Sequence, residues 1–174
     1  MNEDKFWELI ASSLQAAPDV TEVPTRLSKM LVSMPTENIF LFAHEFDRAC
    51  RRAYDWRLWA AATVICGYCS NDVFSDFRSW LIAHGRSVFD RAIIDPDSLA
   101  ALNDFHGDDG EGCLGTFASV AFDAYEAKTG RTDFWEQIPS LPPSPLMHRD
   151  AWDGKPETLE QIVPRLFAKF GRKA

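Results

Sequence analysis

The sequence predicts an all-α fold, and three observations carry that prediction. Apolar residues recur three and four positions apart in segment after segment, as one face of a helix requires. No alternation with a period of two is long enough to indicate a strand. The 174 residues are 46% hydrophobic and include thirteen Phe and six Trp, which is enough for a sizeable core and excludes a wholly disordered chain. We therefore expect a compact multi-helix bundle around one buried central helix.

Three amphipathic helices are predicted before residue 54. The first extends from Glu3 to Ala16, where apolar residues recur at every fourth position, and Pro18 ends it. The second extends from Pro24 to Ser33, since proline suits the first position of a helix. The third starts at Pro35 and has the clearest spacing. Its inward face is formed by Ile39, Phe42, Phe46, Ala49 or Cys50, and Ala53.

The central helix is predicted near residues 56–68. Asp55 can cap its first turn, and residues 56–66 are apolar on nearly every side, which is typical of a fully buried helix. Ser70 can cap the next helix, and Gly85 provides its left-handed stop. The side chains expected in the core from these two helices include Trp59, Phe74, Phe77 and Leu81.

The remaining elements are shorter. Helical segments are predicted over residues 87–94 and 97–103, and the second of them follows Pro96. Residues 104–112 mix acidic side chains with three glycines and should form a surface loop. Helical spacing returns from Phe117 to Tyr125, and Gly130 is expected to end that helix.

The whole chain, residues 1–174, is expected to form one domain in three parts. Residues 1–130 make the helical body. Residues 131–154 contain four prolines within seven positions, from Pro139 to Pro145, and this composition favours an extended Pro-rich strap over a helix. Residues 155–174 form a C-terminal helical segment that Pro164 must break or kink.

The charge balance limits the partners that the protein can have. Eighteen Lys and Arg against 26 Asp and Glu give a formal net charge of −8, which repels nucleic acid and anionic membrane surfaces. Four arginines between Arg48 and Arg57 alternate with acidic residues, so they indicate a solvated helix face rather than a phosphate site. The oligomeric state is left open by the sequence.

Several features favour a cytoplasmic location. The start of the chain is acidic and lacks the basic and apolar regions of a signal peptide. The longest nearly uncharged stretch, residues 58–71, is shorter than the roughly 18–20 apolar residues that cross a bilayer. Four cysteines in a chain of this size, without a secretion signal, are expected to stay reduced.

The cysteines are expected to be structural. Cys66 and Cys69 have the spacing of a redox pair, but such pairs usually begin a helix, and Cys66 ends one. A zinc site would require a second matching pair, and Cys50 and Cys113 stand alone. We therefore predict no metal and no cofactor. The sequence also lacks the glycine-rich phosphate loop, the dinucleotide motif and the nucleophile elbow of common enzymes.

One group of charged residues could line a pocket. Asp72 and Asp76 lie four apart on one helix face, and Arg78 and Arg86 are near in sequence. Paired carboxylates can divide acid and base roles when their pKa values differ. The simpler interpretation is that the aspartates stabilise the start of a helix and pair with the arginines.

A second group lies in the predicted acidic loop, which carries Asp104, Asp108, Asp109 and Glu111. Their spacing does not fit an EF-hand, so calcium binding is not predicted. No Lys or Arg occurs over residues 95–112, and a solvated acidic stretch of this kind could attract a basic protein.

Six short motifs follow one another along the chain: Phe6-Trp7, Leu58-Trp59-Ala60-Ala61-Ala62, Cys69-Ser70-Asn71-Asp72, Trp80-Leu81-Ile82-Ala83-His84-Gly85-Arg86, Asp95-Pro96-Asp97-Ser98-Leu99-Ala100 and the closing Pro164-Arg165-Leu166-Phe167-Ala168-Lys169-Phe170. Their order resembles that of bacterial proteins of domain-of-unknown-function family 4240. The resemblance covers nearly the whole chain and is most specific from Leu58 to Ala100. It implies a bacterial origin and no established activity, so no catalytic residue follows from it.

Two functional hypotheses remain. In the first, the protein is a non-enzymatic acidic binding module, immunity-like or regulatory, that presents its acidic loop to a basic partner protein. In the second, it is a small-molecule sensor or enzyme in which the Asp72, Asp76, Arg78 and Arg86 side chains line a cleft beside the central helix.

Overall fold

The described part of the chain is helical. A computed structural model describes residues 1–17, 19–103, 115–138 and 155–171, and within these ranges it contains ten α-helices, three short 3-10 helices and no strand. The predicted all-α class is therefore confirmed. The α-helices are α1 (Glu3–Ala16), α2 (Val23–Val32), α3 (Thr36–Arg52), α4 (Trp56–Cys66), α5 (Asn71–Ala83), α6 (Arg86–Ile94), α7 (Val120–Thr129), α8 (Phe134–Gln137), α9 (Pro156–Ile162) and α10 (Pro164–Phe170). The 3-10 helices are Val20–Glu22, Pro96–Ala101 and Gly115–Phe117.

Side-chain caps set the starts of the two innermost helices. The Asp55 carboxylate accepts a hydrogen bond of 2.9 Å from the backbone N–H of Arg57 at the start of α4. The Ser70 hydroxyl accepts one of 3.2 Å from the N–H of Val73 at the start of α5. Each cap satisfies a backbone donor that has no partner within the helix. Both predicted caps are confirmed.

The two glycines predicted to end helices, Gly85 and Gly130, differ in backbone conformation. Gly130 has φ 69° and ψ 12°, the left-handed conformation that ends α7 as predicted. Gly85 also has a positive φ of 82°, but its ψ is 170°, and it precedes α6 instead of closing α5 in the left-handed conformation. His84, in the right-handed helical region, occupies the C-cap of α5.

Helix α4 is the central helix that the sequence predicts. All of its residues are buried or half-buried. It packs against α5, α9, α10 and the 3-10 helix Pro96–Ala101. The core prediction is confirmed because the four side chains expected there are all buried, namely Trp59, Phe74, Phe77 and Leu81.

The core continues past residue 130. Helix α7 packs against α2 and α3, and the short α8 packs against α7. Phe134 of α8 is fully buried and lies 5.6 Å from the Phe40 ring and 5.5 Å from the Tyr125 ring, measured between centroids. The Tyr125 hydroxyl donates a 2.8 Å hydrogen bond to Asp133. Together with a hydrogen bond from Arg131, this bond lowers the pKa of Asp133.

The C-terminal segment breaks before Pro164, as predicted, into α9 and α10. Helix α10 packs against α4 and the 3-10 helix Pro96–Ala101. Asp97 of that 3-10 helix is buried, and its carboxylate accepts hydrogen bonds from the backbone N–H groups of Arg165, at 3.0 Å, and Leu166, at 2.8 Å. An aspartate 68 residues upstream thus caps the start of α10.

None of the helices in the described ranges is long and apolar enough to cross a membrane.

Candidate functional site

A cavity of about 390 Å³ lies between α3, α5, α8 and the start of α7. Cavities of this size are large compared with the voids inside packed protein cores and fall within the range of small-molecule sites. Its described lining residues are Phe42, Ala43, Phe46, Asp47, Cys50 and Arg51 of α3, Ser75 and Arg78 of α5, Phe117, Ala118 and Ala121 near the start of α7, and Phe134, Trp135 and Ile138 in and after α8.

Aromatic rings form much of the wall. Phe46 stacks on Phe117 with centroids 5.5 Å apart and planes at 28°. Phe42 and Phe134 are buried. Trp135 lines the cavity although its side chain is 65% exposed, and its ring meets the Phe134 ring edge to face at 5.1 Å. The cavity therefore joins an apolar interior to a Trp side chain that is open to solvent.

Arg78 is the most constrained charged group of the lining. Its Nε donates to the Phe74 carbonyl at 3.2 Å, and its Nη1 donates to the Cys50 carbonyl at 3.1 Å. The guanidinium carbon lies 5.1 Å from the Tyr54 ring centroid and 5.0 Å from that of Phe74. Among the described residues no carboxylate pairs with Arg78, and its Nη2 has no hydrogen-bond partner.

The other polar groups of the lining are already engaged or neutral. Arg51 Nε donates to Asp47 at 2.5 Å, so the Asp47 carboxylate is paired. Burial raises the pKa of the Cys50 thiol to about 12, and the nearby Arg78 guanidinium offsets this only in part. Cys50 is therefore a protonated thiol at neutral pH and a weak nucleophile. Ser75 adds a hydroxyl to the lining.

The structure separates the four residues of the predicted charged pocket. Arg78 lines the cavity, while Asp72 and Asp76 of the same helix do not. Asp72 is exposed and Asp76 is half-buried. Burial raises the pKa of the Asp76 carboxyl, and the neighbouring Asp72 raises it further. The two aspartates thus influence each other, as their spacing predicts, but on a different side of α5.

Arg86 lies at a second, smaller cavity of about 240 Å³, which is lined mainly by charged residues of α1 and α3. It pairs with Asp4 at 2.7 Å and with Asp90 at 3.5 Å. Arg52 bridges Asp90 and Glu3, each at 2.9 Å. Because the cations of this cavity are paired with carboxylates, it offers less to an incoming ligand than the cavity at Arg78.

The arginines from Arg48 to Arg57, on α3 and at the start of α4, are paired and partly exposed. Arg48 pairs with Glu45 at 3.0 Å, and Arg57 pairs with Asp55 at 3.2 Å. Arg51 and Arg52 pair with the carboxylates already described. Arginines that are paired with carboxylates attract phosphate less strongly than unpaired ones.

Several predicted sites lie outside the described residues. These are the acidic loop with Asp104, Asp108, Asp109 and Glu111, together with Cys113 and the prolines of the strap. Within the described residues Cys50, Cys66 and Cys69 form no disulfide with one another. There, no three side chains of His, Cys, Asp or Glu come together in a way that could hold a metal ion.

Most of the cavity lining could not be found from the sequence. Phe46 and Phe117 were expected only as core residues, and Trp135 falls in the segment expected to be a strap. Residues of α3, α5, α7 and α8 meet here through tertiary packing, which short-range spacing does not encode. The one available signal was Arg78, an arginine next to the inward-facing Phe77.

Comparison with known proteins gives one match. The family model described as "Protein of unknown function (DUF4240)" matches residues 1–127. No curated protein and no solved structure matches the chain. The matched region contains α3 and α5, which carry the polar part of the cavity, and ends before α8.

Proposed function

This chain belongs to the DUF4240 family, which is described as of unknown function, and we propose that it is a binding protein that takes a small, largely apolar molecule in the cavity beside Arg78. The observation that carries this proposal is the cavity itself. About 390 Å³ of space with aromatic walls and few polar groups matches the usual composition of small-molecule sites.

The size of the cavity supports a bound molecule. Protein cores are packed as densely as organic crystals, so a concave space of about 390 Å³ that opens to solvent at Trp135 is large enough to hold a small molecule. Water would gain little from the apolar part of the wall, because nine of the fourteen described lining residues are Phe, Ala, Trp or Ile. An apolar ligand would restore the missing van der Waals contacts to the rings of Phe46 and Phe117.

The polar groups of the lining support binding rather than covalent chemistry. The Cys50 thiol stays protonated at neutral pH because its pKa is raised by burial. The Asp47 carboxylate is paired with Arg51 and is poorly placed to accept a proton from a ligand. The proposal therefore develops the sensor form of the small-molecule hypothesis, with Arg78 as the residue retained from the predicted pocket.

The proposal is tested with N-phenyl-1-naphthylamine, a neutral dye whose fluorescence rises in apolar surroundings. We expect saturable binding of one dye per chain. Ala43→Leu should weaken this binding about tenfold or more, because the larger side chain fills part of the cavity.

Ala127→Leu is the matched control, since Ala127 is exposed on α7 and does not line the cavity. Both variants should unfold at temperatures close to that of the wild type. The absence of saturable binding to the wild type, or equal binding by the folded Ala43→Leu variant, would contradict the proposal.

A second candidate function is the binding of a basic protein partner. The observation that favours it is the formal net charge of −8, together with the absence of Lys and Arg over residues 95–112. The association rate of such a partner should fall as salt rises, because salt screens long-range attraction.

A further inference from the structure

We infer that the ligand of this cavity is an amphipathic monoanion, an apolar molecule that ends in a carboxylate, and that the carboxylate pairs with the Arg78 guanidinium. This inference rests on the proposed small-molecule function and names the chemical class of the ligand. Its basis is the one half-buried cation of the lining that no described carboxylate neutralises.

The orientation of the guanidinium is set by the protein before any ligand binds. Hydrogen bonds to the carbonyl groups of Phe74 and Cys50 hold Nε and Nη1, and the Tyr54 and Phe74 rings lie within 5.1 Å of the guanidinium carbon. Among the described residues no group accepts a hydrogen bond from the two N–H donors of Nη2. An arginine held in this way loses little side-chain entropy when it binds an anion.

The charge of Arg78 is not compensated by its present contacts. Carbonyl oxygens and aromatic faces attract a guanidinium, but they carry no net charge. The ionisable side chains of the described lining are two arginines and one aspartate, because Cys50 is protonated. Since Asp47 is already bonded to Arg51, the described lining keeps one net positive charge.

This positive lining is unusual in a chain with a formal net charge of −8. A partly buried cation is costly unless an anion pairs with it, and a carboxylate can accept charge-assisted hydrogen bonds from a guanidinium. The apolar remainder of the ligand would then lie against Phe46 and Phe117. The site would therefore bind an amphipathic molecule in one orientation, with the carboxylate at Arg78 and the apolar part against the Phe rings.

The inference is tested by competition. Straight-chain carboxylates of six to twelve carbons and the matching primary alcohols are each titrated against N-phenyl-1-naphthylamine bound to the wild-type protein at pH 7.4. We expect the best carboxylate to displace the dye at a concentration about tenfold or more below that of its alcohol, since a charge-assisted hydrogen bond distinguishes the two.

Arg78→Met should remove most of that preference while the alcohol binds as before. Arg91→Met is the matched control, because Arg91 is exposed on α6 and lines neither cavity. Arg78→Lys keeps the charge and should retain part of the preference, and it provides a second folded variant if the methionine variant does not fold.

The failures of the two proposals are distinguishable. If the dye binds but the alcohols compete as well as the carboxylates, or if neither series displaces it, the inferred ligand class is wrong and the cavity remains a site for neutral molecules. A carboxylate preference that survives in the folded Arg78→Met variant, or that is undiminished in Arg78→Lys, overturns the assignment to Arg78. Failure of the dye itself to bind removes the proposed function.

Discussion

Phe77 is a residue of α5 and lies in the interior of the molecule. Its side chain is fully buried, and its ring lies 6.2 Å from the Phe74 ring and 5.5 Å from the Trp80 ring. No other side chain can fill the space if the ring is removed, because neighbouring rings in a packed core cannot collapse freely.

Phe77→Ala should therefore lower the free energy of unfolding by about 3–5 kcal/mol through the cavity that it creates. Urea denaturation measures the change, provided that the dependence on urea stays the same. Tyr68→Ala is the control, since that side chain is 60% exposed and its loss should change stability by less than about 0.5 kcal/mol. A denaturation midpoint equal to that of the wild type would show that Phe77 is not a core residue.

At the level of single residues, the sequence predicts burial better than it predicts partners. Trp59, Phe74 and Leu81 were placed in the core because helical spacing puts them on inward faces, and burial depends on that spacing. Arg86 pairs with Asp4, 82 residues away, and with Asp90 on its own helix. Sequence proximity instead suggested Asp72 and Asp76, because it cannot show which helices become neighbours.

At the level of elements, the joint between the 3-10 helix Pro96–Ala101 and α10 depends on charge. Asp97 receives two backbone hydrogen bonds and one from the Arg165 side chain at 2.8 Å, and Arg165 also reaches Asp95 at 2.6 Å. Burial by itself would raise the pKa of Asp97, but these hydrogen bonds outweigh it and lower the pKa. The ionised carboxylate is therefore the form that stabilises α10.

The sign of this pKa change sets the dependence on pH. Since the pKa of Asp97 is lower in the folded chain than the value of about 3.9 in an unfolded chain, its contribution is fully present above roughly pH 4 and is lost as the pH falls further. Asp97→Asn should lower the free energy of unfolding at pH 7 by about 1 kcal/mol or more, the usual value of a helix cap.

The free energy of unfolding of the wild type and of Asp97→Asn, measured from pH 7 to pH 3, should converge below about pH 4. Asp95→Asn is the control for the side chain of Arg165, because the Asp95 carboxylate accepts hydrogen bonds from that side chain and from the N–H of Asp97 but none from the backbone of α10. A difference between wild type and Asp97→Asn that stays constant down to pH 3 would refute the role of the ionised carboxylate.

Most helices could be predicted because their ends carry local signals. Asp55 and Ser70 lie within three residues of the N–H groups that they cap, so both caps can be predicted from the sequence. Helix α8 was missed because four residues are too few to show a period and because prolines dominate its surroundings. The cap of α10 by Asp97 could not be predicted either, because 68 residues separate Asp97 from Arg165.

At the level of the whole molecule, the lining of the cavity and the complete chain carry net charges of opposite sign. The described helices enclose an apolar cavity with a locally positive lining, and the complete sequence has an excess of eight negative charges. A negative surface repels anionic ligands at long range, while Arg78 attracts them at short range. Rising salt should therefore favour the binding of a monoanion to the cavity and weaken the attraction of a basic protein to the surface.

The attraction of a basic protein partner can be tested by removing the charges of the acidic loop. Replacement of Asp104, Asp108 and Asp109 by Asn and of Glu111 by Gln halves the formal net charge of −8. The association rate with a partner purified from the native host should fall, and its dependence on salt should weaken, because long-range attraction between exposed charges extends over about 8–10 Å at physiological salt.

The matched control removes the same number of charges elsewhere, by replacing Glu37, Glu126, Glu136 and Glu160, which are all exposed, with Gln. Neither set should change the unfolding temperature much, since exposed charges contribute little to stability. If the segment steers association, the first set slows it more than the second. Equal slowing by both sets would assign the effect to net charge alone, and recovery of no partner protein at any salt concentration would remove this second candidate function and leave the cavity as the functional site.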